Sequence, residues 1–158
     1  MRQFLLRSVL HRVVPATALF AALSHPLAAQ DSAVAATKAP SGKWSARIVS
    51  FNGISGNAEI AVEPKGDKES RGRLIVRSAP INRQISWDIV AGSCGDEGRT
   101  IAAAAAFRLM LTRNDGSGEA QATVPKLEAG KRYYVRVFQQ GEPATDRSAF
   151  GCANLSES

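Results

Sequence analysis

Gln84-Ile85-Ser86-Trp87-Asp88-Ile89 sets polar and apolar side chains in strict alternation, the period of a strand with one face against a core. The same period recurs on either side. Leu74 and Val76 are bracketed by Arg73 and Arg77, and Ala58, Ile60 and Val62 alternate with Asn57, Glu59 and Glu63. Trp44, Ala46 and Ile48 alternate with Ser45 and Arg47, and residues 120–124 and 133–138 have the same character. Turn chemistry separates these runs: Asn52-Gly53, Lys65-Gly66-Asp67, Asp115-Gly116-Ser117-Gly118 and Ala129-Gly130-Lys131. Short strands punctuated this regularly predict an all-β, two-sheet β-sandwich. Residues 100–106 stand apart, because Thr100 is a fair N-cap and the Ala run 102–106 favours helix. The run 102–106 reads as a connection leading into a strand at 107–112.

The N-terminus reads as an export signal. Arg2, Arg7 and Arg12 make a basic start, residues 13–23 are apolar, and Pro26 then breaks the run. An apolar stretch of that length suits a signal peptide and falls short of a bilayer span. Leu27-Ala28-Ala29 supplies small residues for cleavage after Ala29, although Leu27 makes the fit to A-x-A imperfect. An uncleaved membrane anchor is the alternative. The domain organisation is thus a signal peptide at 1–29, a flexible leader at 30–42, a β-sandwich at 43–153 and a frayed tail at 154–158. The expected localisation is secreted or periplasmic, with no stable membrane anchor after cleavage.

Cleavage changes the chemistry available. Both histidines, His11 and His25, leave with the signal. The formal charge of 20 basic against 14 acidic side chains, +6, becomes 17 against 14, or +3, once Arg2, Arg7 and Arg12 are removed. That balance predicts no nucleic-acid partner, which needs a clustered basic surface. Cys94 and Cys152 remain, and an even count in an exported chain reads as a disulfide. Two free thiols or a redox pair are the alternatives, but a redox pair takes C-x-x-C spacing. Asn154-Leu155-Ser156 matches the N-glycosylation sequon, a short motif of little weight at a terminus.

The stretch Ile85-Ser86-Trp87-Asp88-Ile89-Val90-Ala91-Gly92-Ser93-Cys94-Gly95 resembles the W-H-I-H-x-G-x-C-G segment of copper–zinc superoxide dismutase-like and chordin-type (CHRD) β-sandwich domains. Three later features keep the expected order. They are the Asp115-Gly116 hairpin, Gly130-Lys131-Arg132-Tyr133-Tyr134-Val135-Arg136-Val137-Phe138, similar to G-x-Y-Y-V-N-V-H, and the second cysteine in Phe150-Gly151-Cys152. The similarity spans residues 56–152. It implies a Greek-key two-sheet sandwich, immunoglobulin-like or superoxide dismutase-like, and supports a bridge between Cys94 and Cys152. The resemblance also places the family's ligand histidines at Asp88, Val90 and Phe138. None is histidine, and imidazole is the ligand that suits copper. The expectation is therefore no metal and no cofactor, with Phe138 packing beside Val90 as an apolar plug at the vacated position.

The missing imidazole prunes other chemistry. A Ser-His-Asp triad, a Cys-His dyad and an H-E-x-x-H zinc site all require it. No phosphate-loop motif is present. A carboxylate pair drawn from Asp88, Asp96 and Glu97 is compositionally open, although Asp96-Glu97 in a Gly-rich loop reads first as a solvated turn. Asp115-x-Ser117-x-Glu119 lacks the length of a calcium loop and reads as a hairpin turn. Arg71, Arg73 and Arg77 share one strand face, with Arg83 close behind and Arg136 joining from a neighbouring strand. Guanidinium forks there suit anions, while a solvated face neutralised by Glu59 and Glu63 is the plainer reading. Three functions follow. The first is a non-catalytic binding or structural module for an extracytoplasmic protein, glycan or anionic ligand. The others are an enzyme with a degenerate metal site or carboxylate pair, and an arginine-based polyanion binder.

Overall fold

The computed structural model describes residues 41–158. The expected signal peptide at 1–29 and the leader from 30 to 40 lie outside the described residues.

Among the described residues, nine strands form two antiparallel sheets. They are β1 (Trp44–Ile48), β2 (Asn57–Lys65), β3 (Glu69–Arg77), β4 (Gln84–Ala91), β5 (Met110–Leu111), β6 (Gly118–Pro125), β7 (Tyr133–Gln139), β8 (Ala149–Asn154) and β9 (Ser156–Glu157). One sheet has the order β6-β3-β2-β1-β9, the other β5-β4-β7-β8. The chain runs β4 to β5, crosses to β6, and returns to lay β7 beside β4, a Greek-key order. The fold is the expected all-β, two-sheet β-sandwich.

Alternation places the core where the sequence indicates. Ala58, Ile60 and Val62 of β2 and Leu74 and Val76 of β3 face Ile85, Trp87 and Ile89 of β4 and Val135 and Val137 of β7, all buried. Each of the Val, Leu and Ile side chains contributes about 1.5–3 kcal/mol by leaving water. Trp87 sits at the centre, edge-on to Phe107 at 5.2 Å, with its indole N–H donating to the Arg108 carbonyl at 3.1 Å. Gly72 on β3 makes room for it, since a Cβ there would stand 3.2 Å from the indole ring. Gly66 turns the β2–β3 hairpin at φ 74°, a left-handed conformation that glycine adopts freely.

Two boundaries depart from expectation. Residues 107–112 do not form one strand. Phe107 bridges to Ala122 in the first sheet, whereas Met110 and Leu111 pair with Ile85 and Gln84 in the second, so this segment crosses between sheets. The Ala run contributes a single 3-10 turn, Ala104–Ala106. The tail at 154–158 is not frayed. Leu155 is buried in the core, and Ser156 and Glu157 pair with Ser45 and Trp44 as β9. The Ser158 amide donates to the Lys43 carbonyl at 3.0 Å, and the Ser41 hydroxyl to the Ser158 carbonyl. The apolar Leu155 anchors the strand, and backbone pairing completes it.

Candidate functional site

β4 and β7 are buried on both faces, so their outward side chains lie under something. Those outward positions pair as Ser86 with Phe138, Asp88 with Arg136 and Val90 with Tyr134. Two connections cover them, residues 92–103 after β4 and 140–148 after β7. The Cys94–Cys152 disulfide, with a Cα–Cα distance of 5.7 Å, ties the first of these to β8. The site is the polar cluster held beneath.

Arg136 is its centre. Its Nε donates to Asp88 Oδ1 at 3.0 Å and its Nη2 to Asp88 Oδ2 at 2.6 Å, a two-pronged pair whose side chains are 3% and 5% exposed. Nη1 donates to Asp146 Oδ1 at 3.1 Å, and Nη2 also reaches Thr100 Oγ1 at 3.4 Å. Thr100 in turn donates to Asp88 Oδ2 at 2.9 Å. The Tyr134 hydroxyl donates to Asp146 Oδ1 at 2.9 Å and accepts from the Gly98 amide at 3.1 Å. The Gly95 amide closes the set on Asp146 Oδ2 at 2.6 Å. The guanidinium also stands 5.8 Å from the Tyr134 ring centre, within cation–π range. Two carboxylates against one guanidinium leave one negative charge, which these hydroxyl and amide donors stabilise.

The electrostatics lock this arrangement. Hydrogen bonding to Asp88 raises Arg136 above the ordinary guanidinium value despite its burial. Burial pushes the Asp146 carboxyl up, but the Gly95 amide, the Tyr134 hydroxyl and Arg136 outweigh it and hold it below its usual range. Tyr134 is raised, first by burial and further by the carboxylate it serves, against the Gly98 hydrogen bond. All three shifts point away from neutrality, so Arg136 and Asp146 keep their charges at neutral pH and the Tyr134 phenol keeps its proton.

Gly98 has a steric role in this. A Cβ there would run into the Ala91 carbonyl oxygen and press on Val90. Gly98→Ala is therefore expected to lift the loop off Tyr134 and to cost about 1–3 kcal/mol, the range for overpacking. A urea-denaturation midpoint equal to that of the wild type would show that the loop does not seat as described.

Several sequence expectations are corrected here. Arg136 does not join the arginine stripe. It lies in the other sheet and is buried, because its strand is covered on both faces. Val90 and Phe138 do not form a plug. They share a face but sit four register positions apart, about 13 Å along the sheet, with the Asp88–Arg136 pair between them. At the vacated position, Asp88 has both carboxylate oxygens engaged by Arg136. It forms no carboxylate pair with Asp96 or Glu97. Asp96 accepts from the Ser93 amide at 3.0 Å to close the turn, and Glu97 is exposed. Arg83 reaches Gln139 at 3.1 Å, away from the stripe. Among the described residues, no three His, Cys, Asp or Glu side chains cluster in a way that would hold a metal ion.

The stripe itself is partly neutralised. Arg73 makes a two-pronged pair with Glu119 at 2.8 and 2.7 Å, and those hydrogen bonds lower the Glu119 carboxyl to about 2. Arg77 lies 3.9 Å from Glu59, which also takes Arg47 at 2.5 Å. Glu63 stands opposite Arg71 in register but pairs with Lys43 at 3.7 Å. Asp115 caps its own turn through the Ser117 amide and hydroxyl at 2.9 and 2.6 Å, as a hairpin turn does.

Asp146 and Thr100 have no place in the site as read from sequence, because both come from connections, which carry no period. No helix among the described residues is long and apolar enough to cross a membrane. No protein-family model, curated protein or solved structure matches this chain.

Proposed function

We propose that this chain is a non-catalytic binding module of an oxidising, extracytoplasmic compartment, built on a superoxide dismutase-like or chordin-type sandwich. The observation that carries the reading is the two-pronged Asp88–Arg136 pair, buried where the resembling family would hold its metal. A guanidinium fixed at that point repels a metal cation, and the flanking Val90 and Phe138 carry no donor atom. The residues present therefore do not fit copper or zinc. Both carboxylates of the cluster are tied to Arg136, and Asp146 is pushed further from neutrality, so acid–base catalysis has no candidate pair there. The disulfide and the signal-like N-terminus support export. The ligand class is an extracytoplasmic protein, glycan or anion.

Elemental analysis of the purified, secreted protein is expected to find copper and zinc far below stoichiometric amounts. Superoxide dismutation and ester or glycoside hydrolysis are expected at background from mildly acidic to mildly basic pH. Tightly held copper, or turnover abolished by Asp88→Asn, would overturn the module reading.

A further inference from the structure

The geometry points to a binding site for a linear acidic polysaccharide in the open groove between β3, β6 and the crossing segment 104–113. This rests on the reading of the chain as a binding module and names its ligand.

The groove encloses about 910 Å³ and is lined by Arg71, Arg108 and Arg113 together with Gln121 and Thr123. Arg71 comes from β3 and Arg108 and Arg113 from the crossing segment, and all three are exposed. None makes a side-chain hydrogen bond or ion pair among the described residues, whereas Arg47, Arg73, Arg77 and Arg136 each have a carboxylate partner. The one carboxylate on the lining, Glu119, is already clasped by Arg73. Three unengaged forks therefore line the same groove, each able to take a carboxylate or sulfate through two parallel hydrogen bonds. Gln121 and Thr123 project from β6 beside them and suit sugar hydroxyls. Ala105 and Ala106 line the wall, and their short side chains leave the groove open to a chain passing through.

The chemistry favours a polysaccharide over a nucleic acid. No aromatic side chain lines the groove, and single-stranded nucleic acids rely on aromatic platforms for their bases. Anionic groups that recur along a chain match arginines distributed along a groove better than a single inorganic ion would.

The test is retention and titration of the full secreted protein against polygalacturonate, dextran sulfate, poly-glutamate and oligo-dT, with neutral dextran as background. Binding to polygalacturonate or dextran sulfate is expected, the two arms separating carboxylate from sulfate. Three charge contacts on a densely charged chain predict an affinity loss of roughly twentyfold between about 50 and about 200 mM salt. Arg71→Gln/Arg108→Gln/Arg113→Gln is expected to lose at least about tenfold in affinity, a difference of about 1.4 kcal/mol. Arg47→Gln/Arg77→Gln, on the same sheet but outside the groove, should bind within about twofold of wild type. Arg113→Glu alone serves if the triple variant does not fold. No binding to either polysaccharide at low salt, equal loss in the Arg47/Arg77 control, or tighter binding to oligo-dT or poly-glutamate would overturn the polysaccharide site and leave the module reading standing. Depolymerisation of a bound polysaccharide would overturn the module reading instead.

Discussion

Arg136→Met is expected to destabilise the domain by about 3–5 kcal/mol, the cost of stranding a buried charge when its partner is removed. The substitution keeps much of the side-chain length but leaves Asp88 and Asp146, 5% and 9% exposed, without their guanidinium. Urea denaturation of the purified protein reads the effect directly. A loss below about 1 kcal/mol would mean that water reaches the cluster, contrary to its burial. Arg136→Met/Asp88→Leu should recover some of the loss, because an apolar pair of similar volume is often as stable as a buried ion pair. The acid limb carries a related signature. Asp146 is depressed below its ordinary value in the folded state, so its contribution is present above the unfolded carboxylate range and disappears as pH falls through the folded value. Asp146→Asn is therefore expected to flatten the stability loss below about pH 4, the ordinary Asp range.

The second large effect lies in the crosslink. Cys94→Ser/Cys152→Ser opens a loop with a sequence separation of 58 residues and is expected to cost about 4 kcal/mol in the chain-entropy description. The loss should also be localised. The Cys94, Gly95 and Gly98 amides bond to Asn154, Asp146 and Tyr134 respectively, so their hydrogen-exchange protection is expected to fall first and furthest. Protection retained at those three amides in the variant would show that the polar cluster alone seats the loop. Because bridge and cluster hold the same loop, the combined Arg136 and cysteine variants should deviate from additivity by about 0.5 kcal/mol or more.

How legible this molecule is from its sequence depends on burial. β7 is buried along almost its whole length, whereas β2, β3, β4 and β6 carry a period-2 pattern that marks them. β8 does not, because Ala149-Phe150-Gly151-Cys152-Ala153 is small or half-exposed throughout. β9 is two residues long, too short for any period. Within the site, Val90, Tyr134 and Phe138 at outward positions are a readable sign of a covered second face, since exposed outward positions carry polar side chains as β3 and β6 do. Arg136 stands out as an arginine between valines, yet alternation gives only the face of a strand and not which sheet holds it. Asp146 is invisible at this level. Loop residues have no period, and only the fold brings this one to Arg136.

Lys43, beside the first strand, and Ser158, beside the ninth, are joined by a backbone hydrogen bond. Lys43 and Ser158 thus share one corner of the sandwich, and tension applied between them acts as a zipper pull. The pairs Trp44 with Glu157 and Ser45 with Ser156 would open in succession, each bearing the load alone. The peel along the C-terminal side is arrested at Cys152, where a covalent tie to Cys94 hands the force to the loop over the cluster.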